Sequence, residues 1–156
     1  MPFIYTGALA TPGNLTTNAT PNTETDAFFI KAGVRNAVLR LVRLIGKGAG
    51  LTSISGIAMR MCKFATASTS GTGITPNPKD PGAQAAKATS ASRPTAGTSR
   101  TNHDVFGCGA ASPGGFVAPD ADSCLTLEGG SAGSIDGMDI SGTASLNYEF
   151  SYDLVE

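Results

Sequence analysis

The side chains that could do chemistry are few and scattered. The single histidine, His103, stands beside Asp104. A hydrolytic triad would also need an activated serine and an oxyanion hole, and no Gly-x-Ser-x-Gly occurs. His103 is therefore expected to be a surface or turn residue, and no catalytic residue is expected. Cys62, Cys108 and Cys124 form no Cys-x-x-Cys pair, so they offer no zinc spacing. They are expected as small buried apolar groups in a reducing cytoplasm, with a Cys108–Cys124 bridge left open. Asp120-Ala121-Asp122 and Asp136-Gly137-Met138-Asp139 carry oxygens that could ligate calcium. Acidic turns containing glycine are the commoner origin of such patterns, and neither a metal nor a cofactor is expected. "IGKGAGLTS" (45–53) has the glycines and lysine of a phosphate loop, but Gly48 follows Lys47 and the spacing is wrong.

The elements that would position these groups are strands. The 156 residues are enough for one domain, with 40% hydrophobic and 15% charged residues. The 20 glycines and 9 prolines favour turns and extended segments over helices. Residues 1–26 read as an extended polar N-terminal tail. The start Met1-Pro2-Phe3-Ile4-Tyr5 lacks a basic, apolar leader, so no secretory signal is expected. In that setting the sequons at Asn14 and Asn18 are expected to be coincidental. "AFFIKAGV" (27–34) is expected as a first strand. Residues 35–47 fit both periods. Val38, Leu41, Val42 and Ile45 recur at helical spacing, whereas a strand buried on both faces also suits the run, and strand is favoured. In "SISGIAMRMCKFAT" (53–66), Ile57, Met59 and Met61 alternate with Ala58, Arg60 and Cys62, the period of a strand. In "SLNYEFSYDL" (145–154), Leu146, Tyr148, Phe150, Tyr152 and Leu154 share one face. Short, partly apolar runs punctuated by Gly, Pro, Asp and Ser fill the stretch between His103 and Ser141. The expected fold is all-β: an antiparallel β-sandwich or jelly-roll-like barrel over residues 27–156.

Residues 68–102 stand apart, since Ile74 is their only large apolar side chain. Pro76, Pro78, Pro81 and Pro94 oppose regular structure, although "GAQAAKA" (82–88) could form one or two helical turns. This segment is expected as a polar extended arm, ordered by contact with other polypeptides. The charge is also segregated. All 11 basic residues lie between Lys31 and Arg100, where Asp80 is the only acid. Lys79, Lys87, Arg93 and Arg100 are the expected contacts to a neighbouring subunit or partner surface. Arg40, Arg43 and Arg60 are expected to pair with acids on adjacent strands. Nucleic acid is not expected as a partner, because no aromatic lies between Phe64 and Phe106 to stack bases. No apolar run is long enough to span a membrane.

The stretches "VRNAVLRLVRLIGKGAGLTSISGIAMRMCKFATASTSGTGITPNPKDPGAQAA" (34–86) and "FVAPDADSCLTLEGG" (116–130) resemble small structural proteins of tailed-bacteriophage heads. The features shared are the basic-apolar strand pair, the "SGTGITPNPKDPGAQAA" excursion and a late P-x-x-x-x-x-L-x-L strand. The resemblance implies a capsid decoration (cement) protein: a β-sandwich or barrel, often trimeric, on the capsid exterior of a virion. Its implied partners are the major capsid protein and further copies of itself, and it implies no catalytic residues. The alternatives are another virion component, such as a head fibre base, tail-tube or baseplate protein, or a receptor- or glycan-binding β module.

Overall fold

A computed structural model describes residues 2–9, 13–15, 25–47, 56–92, 94–109, 114–117, 124–139 and 146–156. The described residues form two antiparallel sheets packed face to face, a β-sandwich. The first sheet contains β1 (Ile4–Ala8), β2 (Gly13–Leu15), β4 (Ala37–Lys47), β7 (Asn77–Pro78), β10 (Gly114–Val117), β11 (Leu125–Leu127) and β13 (Leu146–Val155). Its order is β10-β4-β13-β1-β7, with β11 also on β4 and β2 also on β13. The second sheet contains β3 (Thr25–Lys31), β5 (Gly56–Thr66), β6 (Thr72–Ile74), β8 (Thr89–Ser92), β9 (Thr98–Gly109) and β12 (Ser134–Asp139). Its order is β6-β8-β3-β12-β5-β9.

The core lies where the inward faces meet. β4 and β13 supply Leu39, Val42, Leu44, Phe150, Tyr152 and Leu154, while β3, β5 and β12 supply Phe28, Ile30, Met59, Met61 and Ile135. Phe28 and Phe150 stack across the gap with ring centroids 4.4 Å apart. Each large side chain buried here contributes about 1.5–3 kcal/mol before entropy is charged against it. The expected face of β13 is realised at Phe150, Tyr152 and Leu154, all buried.

β4 is a strand, and its ambiguous period has a physical cause. Its pairing with β13 skips Arg40, since Asp153 faces Leu41 and Leu154 faces Leu39. A bulge of this kind shifts the inward set by one residue. Ala37 and Leu39 point inward before it, and Val42 and Leu44 after it, so strict alternation is lost in the sequence.

Two boundaries differ from expectation. Residues 1–26 are more than a tail, because β1 lies between β13 and β7 and its Tyr5 is 3% exposed. The tyrosine hydroxyl donates to the Gln84 carbonyl at 3.0 Å. Only one large side chain of β1 turns inward, so the strand leaves little hydrophobic pattern. The strand expected at 27–34 is β3, which begins at Thr25, two residues ahead of the apolar run, and ends at Lys31.

Residues 68–102 are the larger correction. They do not project as an arm but sew the two sheets together. β6 and β8 extend the second sheet, β7 joins the edge of the first, and β9 begins at Thr98. Residues 82–88 contain no helix. The segment is ordered mainly by hydrogen bonds and small residues. Ser90, Ala91 and Ser92 are buried, Ser90 Oγ donates to the Ile74 carbonyl at 3.1 Å, and Ser90 and Tyr152 share a hydroxyl bond of 2.5 Å. The Lys87 and Ala88 amides donate to the Glu156 carboxylate at 2.8 and 2.5 Å. Pro78 is accommodated on a two-residue strand at a sheet edge, where a missing donor is tolerated.

Candidate functional site

The most unusual chemistry lies on the face of the second sheet turned away from the main core. β12 runs down the middle of this sheet between β3 and β5. Its Ile135 belongs to the main core. Gly137 faces the same way, because a Cβ there would lie 2.2 Å from the Phe28 ring. The alternation of a strand therefore turns Ser134, Asp136 and Met138 to the opposite face. Cys62, opposite Asp136 on β5, and Phe64, opposite Ser134, face them and form a small separate cluster with Met138.

On β3, Asp26 lies opposite Met138, so its carboxylate is a diagonal neighbour of Asp136 on the same face. The ladder skips Ala27, a bulge that puts both Ala27 and Phe28 into the core while Asp26 remains outside it. The segment after β5 then folds back over the cluster. The Ala67 amide bonds to the Ala132 carbonyl, and the Ser68 amide donates to Ser134 Oγ at 3.1 Å. Ser68 Oγ donates to Asp136 Oδ2 and accepts from the Gly97 amide at 2.9 Å. Ser134 Oγ donates to Asp136 Oδ1 at 2.5 Å.

Asp136 is thus fully buried but well solvated by hydroxyls, whereas Asp26 is not. Asp26 is only 7% exposed, and neither of its carboxylate oxygens has a hydrogen-bond partner. Burial pushes the Asp26 carboxyl up to about 7, with the charge of Asp136 adding and the nearby Ser68 hydroxyl offsetting part. Burial likewise pushes Asp136 up to about 6 against the opposing hydroxyls of Ser134 and Ser68. The Cys62 thiol donates to Asn102 Oδ1 at 3.3 Å, and burial pushes it up to about 11, Arg60 opposing and the two aspartates adding. A thiol held protonated in this way is a poor nucleophile.

Of the expected contact residues, Lys79 and Lys87 lie beside the first sheet and Arg100 on the edge strand of the second. Lys79 forms an ion pair with Asp153 at 2.7 Å, and Thr6 Oγ1 donates to the same carboxylate at 2.7 Å. Lys87 lines a shallow depression with Phe3, Tyr5, Arg35, Gln84 and Glu156. Arg100 lies on the exposed part of β9, with its guanidinium 3.7 Å from Met138 Sδ. Arg93 lies outside the described residues. Arg43 is exposed on β4 opposite Ser151, and its charge acts on Asp153 of the adjacent strand.

His103 is exposed on β9, at the residue the ladder skips between Asn102 and Asp104. Asp120, Asp122, the glycine-rich residues 48–50 and the side chains of Cys108 and Asp139 lie outside the described set. Sequence reasoning named Asp136 as an oxygen ligand but missed Asp26, its partner. The available signal was an acid directly ahead of Ala27-Phe28-Phe29-Ile30, where an apolar strand was already expected.

β9 is the second notable feature. Its 12 residues form the edge of the second sheet, and Thr98–Val105 are exposed. Among the described residues, no strand pairs with its outer side. Among the described residues, Val105 is one of two large apolar side chains left exposed. The bulge at His103 and the charges of Arg100 and Asp104 are features that restrain indiscriminate edge pairing. Compared with protein-family models, with curated proteins and with solved structures, the chain matches none.

Proposed function

We propose that the protein is a structural, non-enzymatic virion component that binds the outside of a bacteriophage capsid and stabilises it through multivalent contacts. Its partners on this reading are the major capsid protein and further copies of the chain, with a trimer favoured. The resemblance of residues 34–86 and 116–130 to small phage-head proteins supplies the class. The observation that carries an assembly role is the long open edge of β9. Exposed backbone donors and acceptors on such an edge can take a strand from a neighbouring subunit. Several weak contacts repeated on a lattice gain strength through effective concentration. Residues 68–92 do not contribute to this support, because the hydrogen bonds of their strands close within one chain.

Two measurements test the proposal. Light scattering on the purified chain should give the mass of an oligomer, and Thr101→Lys/Val105→Lys on the open edge should shift it towards a monomer. A wild-type monomer would remove the edge from the assembly. Heads assembled without the protein should break at lower temperature than heads with it, with the wild-type chain restoring them and the edge variant failing to. Heads that withstand heat equally well without it would overturn the capsid role.

A further inference from the structure

The unpartnered Asp26 carboxylate bears on ligand chemistry and is independent of the virion reading. Both of its oxygens are buried, and the nearest acidic group is a second carboxylate. A buried carboxylate without compensation is costly. A proton alone is a poor remedy, because a neutral carboxyl carries an O–H that itself needs an acceptor. No donor reaches either Asp26 oxygen.

We propose that Asp26 and Asp136, with the hydroxyls of Ser68 and Ser134, form an oxygen-lined site for one hard divalent cation of the calcium type. Two carboxylates balance one divalent charge. The donor set is oxygen only, which suits calcium or magnesium over zinc or copper. No three His, Cys, Asp or Glu side chains converge among the described residues, so the remaining ligands are hydroxyl, backbone or water oxygens. Magnesium keeps several waters and near-octahedral geometry, whereas calcium accepts irregular, mixed oxygen shells. The site's ligands come from β3, from β12 and from the segment after β5, so the ion would staple the roof to the sheet. The hydroxyls that now donate to Asp136 would turn their lone pairs to the ion.

The test uses the full chain stripped with EGTA, titrated with CaCl2 and separately with MgCl2 and NaCl. Calorimetry should show one calcium per chain, and calcium should raise the melting temperature where sodium does not. Asp26→Asn should weaken calcium binding by at least ~10-fold, the scale seen when groups supporting a metal site are altered. Ser68→Ala, a milder change, should weaken it in the same direction while leaving the β-sheet circular dichroism intact. Calcium binding that survives Asp26→Asn and Ser68→Ala unchanged would place the ion elsewhere and overturn the proposal. Absence of any calcium effect, with the stripped protein gaining stability on acidification alone, would mark a protonated pair and also overturn it. A magnesium response larger than that to calcium would overturn the assignment of the ion.

Discussion

The two sheets hold their carboxylates in opposite ways. On the first sheet, Asp153 is partly exposed and receives Lys79 and Thr6, both at 2.7 Å. Burial alone would raise its pKa, but those hydrogen bonds and the charges of Lys79 and Arg43 outweigh it and lower the group below its ordinary value. On the second sheet, Asp26 and Asp136 are buried side by side, and burial dominates both. The sequence does not distinguish the three, since each is an acid in a strand with apolar neighbours. What differs is whether the fold delivers a cation. Lys79 arrives on the segment that crosses to the first sheet, while the second sheet's pair is offered hydroxyls and a neighbouring thiol. A carboxylate left without a charge partner in a buried site therefore points towards a ligand, and one already paired points towards local structure.

The largest expected effects test the framework beneath both sites. Gly7 on the first sheet and Gly137 on the second each lie under an aromatic ring, with an added Cβ 2.2 Å from Tyr152 and from Phe28 respectively. Gly7→Ala and Gly137→Ala should each cost up to ~3 kcal/mol in urea unfolding, through overpacking of rings that cannot withdraw. Gly82→Ala, with nothing near its Cβ, should be close to neutral.

Next come the carboxylates, where the two sheets should respond with opposite signs. In EGTA, Asp26→Asn should stabilise the chain by ~1–3 kcal/mol, since it removes an uncompensated buried charge. Asp153→Asn should destabilise it by up to ~1 kcal/mol. Equal signs in urea melts would end the comparison.

Acidity should separate the sheets too. Asp26 and Asp136 bind protons more tightly when folded, so their contribution in EGTA is fully present below pH ~4 and lost as pH rises through about 6 and 7. Arg60 and Cys62 share that face; the arginine charge acts on the thiol, which stays protonated over this range and leaves the slope unchanged. Asp153 runs the other way, its contribution being present above pH ~4 and lost as pH falls through its lowered folded value. Urea midpoints measured from pH 3 to 8, for wild type and each Asn variant, read both slopes.

The smallest effect is Lys79→Met, expected at ~0.5 kcal/mol and shrinking in high salt, because the lysine side chain is 49% exposed.

Much of the framework was legible because strands write their burial into the sequence. β13 and β5 show period two, and Met59, Met61, Phe150, Tyr152 and Leu154 point inward as the alternation names. β4 was less clear because a bulge at Arg40 breaks its period. β1 and residues 68–92 were missed for a different reason. Their order depends on backbone hydrogen bonds, buried serines and alanines and the Glu156 side-chain carboxylate, none of which leaves a hydrophobic pattern. The candidate site was half legible. Asp136 was marked as an oxygen donor, but strand spacing alone could not say that Asp26, 110 positions earlier, would lie diagonal to it.

The sequence by itself determined the all-β class, the core faces of the strongest strands and the scarcity of catalytic groups, because alternation and composition act locally. Only the tertiary structure decided that a serine-rich excursion binds both sheets, that Lys79 meets Asp153, and that two aspartates from β3 and β12 are buried together. Those outcomes depend on which strands become neighbours, and strand order is set by long-range packing.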